Sequence, residues 1–116
     1  MKARLLIILV AVFLVGCGHR DPIDRVVADA SANPYFKNGM FHPVYLPETA
    51  SPVEVTARAL GYGNSTTNIA VLEVRKVQIH NEEYTAVLLP FGAGQRVVLL
   101  QYMKEVGRWW NRKYDF

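Results

Sequence analysis

The chain has 116 residues, with 13 basic and 10 acidic side chains and a formal net charge of +3. Lys2 and Arg4 supply two of those charges and every acidic residue follows Cys17, so the chain beyond Cys17 is close to +1. This value excludes the strongly basic surface that is typical of nucleic-acid binding. Cys17 is the single cysteine, which excludes an intramolecular disulfide, and the residues that follow it suffice for one small domain.

The N-terminal 17 residues carry the strongest signal in the chain. Two basic residues precede an unbroken apolar run over residues 5–15, which Gly16 and Cys17 end. The run is about half of the roughly 20 residues that a membrane-spanning helix needs. It also lacks the polar face that a helix packed on a small domain would carry. Its length and flanks therefore favour a secretory signal peptide over either alternative.

The sequence Leu14-Val15-Gly16-Cys17 resembles the lipobox of bacterial lipoproteins. The resemblance implies that residues 1–16 are cleaved and that Cys17 becomes an S-diacylglycerol cysteine, whose amino group can also carry a palmitoyl chain. Two or three acyl chains hold a protein stably on a bilayer. Because Gly18 follows, where an Asp tends to retain lipoproteins at the inner membrane, the resemblance implies anchoring on the exported face, with the outer membrane favoured in a two-membrane organism.

Residues 17–47 are interpreted as the lipidated cysteine followed by a partly structured tether. Asp21 and Pro22 are typical of a helix start, since Asp caps the first amides and Pro suits the first helical position. The helix is expected to end near Ala32 because Pro34 disfavours helical geometry in the residue before it. Aromatic and proline residues then alternate up to Pro47. Two interpretations stay open for this aromatic loop: it covers the domain's own core, or it docks on a partner.

Residues 48–116 are predicted to form a small α+β domain. Ser51 is expected to cap a short helix that ends before Gly61, the residue suited to left-handed geometry there. Strand-forming residues follow over 69–79, 84–89, 95–102 and 108–116, with a turn at Asn81-Glu82. The inward-facing pattern shifts between Val71 and Val74, which predicts either a bulge or a twisted, long strand. The expected architecture is one or two short helices packed on one face of an antiparallel meander of three to four strands.

This order of a helix and then a curved meander resembles the cystatin-like and nuclear-transport-factor-2-like architectures. The resemblance rests on element order alone. Those folds host inhibitors, binding modules and enzymes, so the architecture does not select a function.

Chemical motifs are sparse in the domain. His42 and His80 lack neighbouring ligands at metal spacing, and no serine has the glycine context of a hydrolase nucleophile, so we predict neither a metal site nor catalytic residues. Cationic and aromatic side chains do cluster near the C-terminus and in the aromatic loop, a combination that suits contact with another molecule. The predicted contact surface consists of Tyr35, Phe36, Phe41, Tyr45, Arg108, Trp109, Trp110 and Arg112. On a strand, Trp109 and Trp110 point to opposite faces, so one is expected in the core and the other exposed.

The sequence therefore predicts a membrane-anchored envelope lipoprotein that acts as a structural or accessory protein-binding module and not as an enzyme. The covalent lipid on Cys17 would be its only non-protein group. A small periplasmic ligand-binding module, with a pocket between the second helix and the sheet, is the alternative. An envelope hydrolase is the third possibility, which would require a buried histidine–carboxylate pair.

Overall fold

The computed structural model describes residues 21–39, 41–62 and 69–116. The elements of these ranges are, in chain order, α1 (Pro22–Ser31), a 3₁₀ turn (Phe36–Asn38), β1 (His42–Val44), α2 (Pro52–Ala59), β2 (Glu73–Ile79), β3 (Glu82–Phe91), β4 (Gly94–Met103) and β5 (Arg108–Asp115). The five strands form one sheet with the order β1-β5-β4-β3-β2, and every neighbouring pair is antiparallel.

The α+β class is confirmed, but the predicted count of three to four strands is wrong. The additional strand is β1, which pairs with β5 through His42↔Asn111 and Val44↔Trp109. β1 has three residues and contains Pro43, which cannot donate a hydrogen bond to the sheet. Such a segment lacks the alternating pattern of a strand, and its pairing partner lies far away in the chain. β1 lies within the stretch interpreted as a tether.

Helix α1 packs on one face of the sheet. Asp21 caps it as predicted, its Oδ1 accepting from the amide of Asp24 at 2.8 Å, and the helix ends with Ala32 as its C-cap. Ile23 and Val26 are almost fully buried. This helix therefore belongs to the core of the domain, although it lies in the segment 17–47. The buried residues of this core, called the α1 face below, are Ile23, Val26, Ala30, Phe36, Val77, Ile79, Tyr84, Ala86, Leu88, Val97 and Leu99.

Helix α2 packs on the opposite face, so the expectation that the helices share one face is wrong. Ser51 caps α2 as predicted, its Oγ accepting from the amide of Glu54 at 3.1 Å. Gly61 follows the C-cap with φ +87°, also as predicted, and the amide of Tyr62 closes the end by donating to Ala57 O at 2.9 Å. The buried residues of this second core, called the α2 face, are Val44, Val55, Val87, Leu89, Val98, Leu100 and Trp109.

The central strands are buried on both sides because each face has its own helix. Residues 86–89 and 97–100 are all buried, with no alternation of exposed positions. The pattern shift near Val71 lies before β2 begins at Glu73, because residues six apart on one regular strand would share a face. Val71 packs on the α2 face and Val77 on the α1 face, while the register of β2 with β3 is continuous from Glu73 to Ile79.

The turn between β2 and β3 lies one residue earlier than predicted. His80 and Asn81 both have positive φ, 51° and 66°, as the two central residues of a type I′ hairpin turn require. His80 Nε2 lies 3.0 Å from Ser31 O at the end of α1. Neither helix of the described ranges is long and apolar enough to cross a membrane.

Candidate contact surface

Strand β5 separates the two tryptophans as the alternation of a strand requires. Trp109 lies on the α2 face, is 8% exposed, and donates from Nε1 to Pro47 O at 3.0 Å. Its ring meets that of Tyr102 edge-on, with centroids 5.5 Å apart. These contacts fix the segment that joins β1 to α2, so Trp109 serves the core and not a contact surface.

The aromatic loop packs largely on the domain itself. Phe36 is 1% exposed and meets the rings of Phe41 and Tyr84 edge-on, at centroid distances of 5.4 and 5.6 Å. The guanidinium of Arg112 lies 5.8 Å from the ring centres of both Phe36 and Phe41. Phe36, Phe41 and Arg112, three residues of the predicted contact surface, thus form a cluster that covers the α1 face beyond the end of α1. The first interpretation of the loop, as a cover for its own core, holds for this part.

A pocket of about 100 Å³ opens beside this cluster, next to the 3₁₀ turn, whose Lys37 is part of its lining. Its apolar lining consists of Phe41, Tyr84, Met103 and Trp110. The rings of Phe41 and Trp110 lie 6.1 Å apart at their centres. Burial raises the pKa of the Tyr84 hydroxyl to about 12, and the nearby Glu82 carboxylate adds to this effect, so Tyr84 is a neutral donor at physiological pH.

A polar network borders the pocket. Lys37 Nζ lies 2.9 Å from each carboxylate oxygen of Glu82, and Gln101 Nε2 donates to Glu82 Oε1 at 3.0 Å. The hydrogen bond from Lys37, assisted by that from Gln101, lowers the pKa of Glu82. The network joins the 3₁₀ turn to β3 and β4, and therefore holds the loop against the sheet at the pocket's edge.

Two hydrogen-bond donors on β5 stand out beside the pocket. Trp110 Nε1 and Arg108 Nε are buried, and neither has an acceptor within the part of the chain that the structure describes. Residues two apart on a strand share a face, so both belong to the side of β5 that holds Arg112. Buried donors in native proteins nearly always have partners, so these two atoms mark a place where the described fold leaves hydrogen-bonding capacity unused.

Tyr45 lies beside Arg108, on the solvent side of the two buried donors. Its side chain is 68% exposed, and the Arg108 guanidinium lies 5.2 Å from its ring centre, with Nη1 3.4 Å from the hydroxyl. Phe41, Tyr45, Arg108 and Trp110 thus form a continuous area, called the Trp110 surface below. Of the predicted contact residues, the structure brings these four together. Tyr35 is 70% exposed, and its amide binds Asn33 Oδ1 within the loop.

A second cavity of about 250 Å³ lies on the other face, between β1, β5 and the end of α2. His42, Arg58 and Lys113 line it together with Asn111. Asn111 is 1% exposed, and its Nδ2 donates to His42 O at 2.8 Å while its Oδ1 accepts from Lys113 at 3.3 Å. Asn111 is therefore satisfied within the fold, and its main effect is to fasten β1 to β5.

Several functional candidates were not accessible from the sequence. Lys37, Glu82 and Gln101 belong to three separate segments, and only the tertiary fold brings their polar groups together. Cys17, the predicted lipid attachment residue, and the signal peptide before it lie outside the described residues. Across residues 21–39, 41–62 and 69–116, no three histidine, cysteine or acidic side chains are grouped in a way that would hold a metal ion.

The fold of the described residues belongs to the class of small α+β domains, with an antiparallel sheet that lies between two helices. Comparison of the chain with protein-family models, curated proteins and solved structures gives no match.

Proposed function

We propose that this chain is an envelope lipoprotein, anchored on the exported face of a membrane through lipid on Cys17, that binds another protein through the Trp110 surface. The observation that carries the proposal is the pair of buried donors, Trp110 Nε1 and Arg108 Nε, that lack acceptors beside an exposed tyrosine. The signal peptide and lipobox resemblance supplies the anchor, with the outer membrane favoured.

The chemistry of the Trp110 surface suits a protein partner. Tryptophan, tyrosine and arginine are the residues that most often dominate binding energy at protein interfaces, because they combine a large apolar area with a directed donor. Backbone carbonyls or carboxylates of a partner would supply the acceptors that Trp110 Nε1 and Arg108 Nε lack, once the side chains that enclose these two atoms move on binding. The pocket beside Trp110 would take one apolar side chain of the partner.

The size of the cavities favours protein binding over the binding of a small ligand. Ligand pockets typically have volumes of about 300–1,000 Å³ and bury most of the ligand. The pocket beside Trp110 has about 100 Å³ and the cavity at β1 about 250 Å³. A small periplasmic ligand-binding module therefore remains the second candidate, with the cavity lined by Arg58 and Lys113 as the place for a small anion.

An envelope hydrolase is the weakest of the three proposals. Glu82 is the acidic side chain closest in sequence to His80, and its carboxylate is engaged by Lys37 and Gln101. His80 Nε2 contacts the backbone oxygen of Ser31. Both groups thus take part in contacts that hold the fold together.

Photocrosslinking in cells tests the proposal. A benzophenone side chain replaces Tyr45, and a matched control carries it in place of Lys76, which is exposed on β2 at the far edge of the sheet. We expect one defined adduct from position 45 and none from position 76. Adding Trp110→Phe removes the indole N–H but keeps an aromatic ring, and should lower the adduct roughly fivefold, as loss of a hydrogen bond worth about 1 kcal/mol implies.

The Cys17→Ala form of the same protein tests the anchor. Without lipid the domain should leave the membrane fraction after a high-salt wash, and the adduct at position 45 should decline because the partner is no longer close. Equal crosslinking from positions 45 and 76, or an adduct that Trp110→Phe leaves unchanged, would reject the Trp110 surface. A Cys17→Ala form that stays on the membrane after the wash would show that the uncleaved apolar segment or a protein partner holds it there.

A further inference from the structure

The first turn of α1 lies at one end of the sheet. Asp21 Oδ2 binds Arg75 Nη2 at 2.9 Å, and Arg75 in turn binds Glu73, the first residue of β2. On the other side of the turn, the guanidinium of Arg25 lies 4.6 Å from the ring centre of Phe116. Helix α1 therefore begins beside the start of β2 and the residue that follows β5.

The turn between β3 and β4 lies at this same end. Gln95 exchanges both backbone hydrogen bonds with Phe116, at 3.1 and 2.8 Å, and Gly94 is paired with Phe91 across the turn. Arg96 lies 3.6 Å from the ring centre of Phe91. Two phenylalanine rings, each under an arginine, thus occupy the end of the sheet from which α1 starts.

Exposed apolar side chains gather at this end. Leu72, whose amide donates to Leu88 O, is 55% exposed, and Phe91 is 45% exposed. Phe116 is 37% exposed. These three residues, Leu72, Phe91 and Phe116, are called the anchor-end patch below. Exposed apolar side chains that cluster in this way on a small domain indicate a surface that contacts another protein or a membrane.

The charges around the patch nearly cancel. Arg75 is bound by Asp21, Asp24 and Glu73, and Arg96 is bound by Asp115. A surface with this balance has no net attraction for anionic lipid. Its aromatic rings, each with a cationic neighbour, have instead the amphipathic character that suits the interface between lipid headgroups and acyl chains.

The short stretch of chain between Cys17 and α1 indicates what the anchor-end patch contacts. Four peptide steps separate Cys17 from Asp21, and four residues reach at most about 14 Å. We propose that the anchor-end patch contacts the surface of the bilayer, with Phe91 and Phe116 in the headgroup region. This inference rests on the proposed lipid anchor at Cys17. It places the turn between β4 and β5, at the other end of the sheet, farthest from the membrane.

The lipidated protein can be labelled at a single introduced cysteine. Lipid blocks the sulfur of Cys17, the single native cysteine, so an introduced cysteine is the only free thiol. Ala93→Cys places an environment-sensitive fluorophore in the turn beside Phe91, and Val106→Cys places it at the far end as the matched control. The protein is reconstituted into phosphatidylcholine vesicles in which part of the lipid carries a nitroxide on the headgroup.

We expect the emission at position 93 to shift to shorter wavelength and to be quenched by the nitroxide, and the emission at position 106 to do neither. Phe91→Ser with Phe116→Ser should abolish the quenching at position 93, whereas Tyr35→Ser, at a more exposed ring away from the patch, should leave it unchanged. Near-ultraviolet circular dichroism confirms that each variant is folded. High salt should leave the quenching in place, since the contact is apolar.

The mass of the N-terminal peptide separates the two possible failures. A peptide that carries lipid on Cys17, combined with an unquenched probe at position 93, overturns the patch and leaves the anchor standing. A peptide without lipid overturns the anchor and, with it, the orientation derived from it. Equal quenching at positions 93 and 106 also overturns the patch, because it shows that the domain has no preferred orientation on the bilayer.

Discussion

The two faces of the sheet are covered by different means. Among the described residues, the α1 face holds eleven buried residues, whereas the α2 face holds seven. The α1 face is closed by a ten-residue helix, a 3₁₀ turn and a cluster of aromatic rings. The α2 face is closed by an eight-residue helix and by Trp109, which holds the connection from β1 in place.

This difference explains where the candidate surface arises. A ten-residue helix is only about 15 Å long, which is shorter than the central strands. The aromatic loop covers most of the remaining α1 face but leaves the pocket beside Trp110 open. On the α2 face the segment joining β1 to α2 lies directly on Trp109, so the matching tryptophan has its acceptor. Trp110 Nε1 is also buried, but no acceptor of the described residues lies within hydrogen-bond distance of it.

The test with the largest expected effect truncates one fully buried side chain in each helix. Ile23→Ala should lower the free energy of unfolding by about 3 kcal/mol, and Val55→Ala by about 2 kcal/mol, because both side chains are fully buried and leave cavities. Urea unfolding measures both values. Asp29→Ala, an exposed control on α1, should stay within about 0.5 kcal/mol of the unmodified protein. A similarly small effect of Ile23→Ala would show that α1 is a tether after all.

A second test uses the buried tyrosine of the α1 face. The pKa of Tyr84 is raised to about 12 from an ordinary value of 10.0, so its contribution is fully present below pH 10 and is lost as the pH rises towards 12. The loss should reach about 2–3 kcal/mol, the equivalent of two pH units. Unfolding measured over this range checks it. Tyr84→Phe should flatten the dependence, and a slope that survives in this variant would assign the effect to other groups.

The third and smallest test concerns how the helices end. Helix α1 ends on Ala32 with ordinary negative φ, whereas α2 depends on Gly61 at φ +87°. Nothing lies within 4 Å of the position that a Cβ at Gly61 would take, so Gly61→Val should cost about 1–2 kcal/mol through backbone strain alone. Asn tolerates this geometry better, and Gly61→Asn should cost less. Thermal unfolding of both variants distinguishes strain from lost packing, which would affect them equally.

Local signals proved sufficient for the ends of the helices. Asp21, Ser51 and Gly61 were all predictable, because capping depends on hydrogen bonds within a few residues of the chain. The strands from β2 to β5 were predictable for a similar reason, since apolar runs and short turns are properties of contiguous sequence. The strand β1 was not, because its pairing with β5 depends on residues far away in the chain.

The choice of face and the make-up of the site lay beyond sequence reasoning. Helical spacing shows that Ile23 and Val26 share one side of α1, but it does not show on which side of the sheet that helix lies. The alternation of β5 correctly separated Trp109 from Trp110. Which of the two would find an acceptor depended on the path of the segment around Pro47, a tertiary property. The Lys37–Glu82 pair arises in the same way, from two segments that carry no mutual signal.

The position of β1 has a consequence for the order in which the domain is assembled. Val44 pairs with Trp109 across more than half the length of the chain, whereas Phe91 and Gly94 pair across a tight turn. Closing a long loop costs more entropy than closing a short one, and contacts distant in sequence form slowly. Among the described strands β1 comes first in the chain and β5, its neighbour in the sheet, comes last, so we expect β1 to join the sheet after the others. Until that moment the outer side of β5 is an open edge, and Asn111 and Trp109 supply the hydrogen bonds that finally close it.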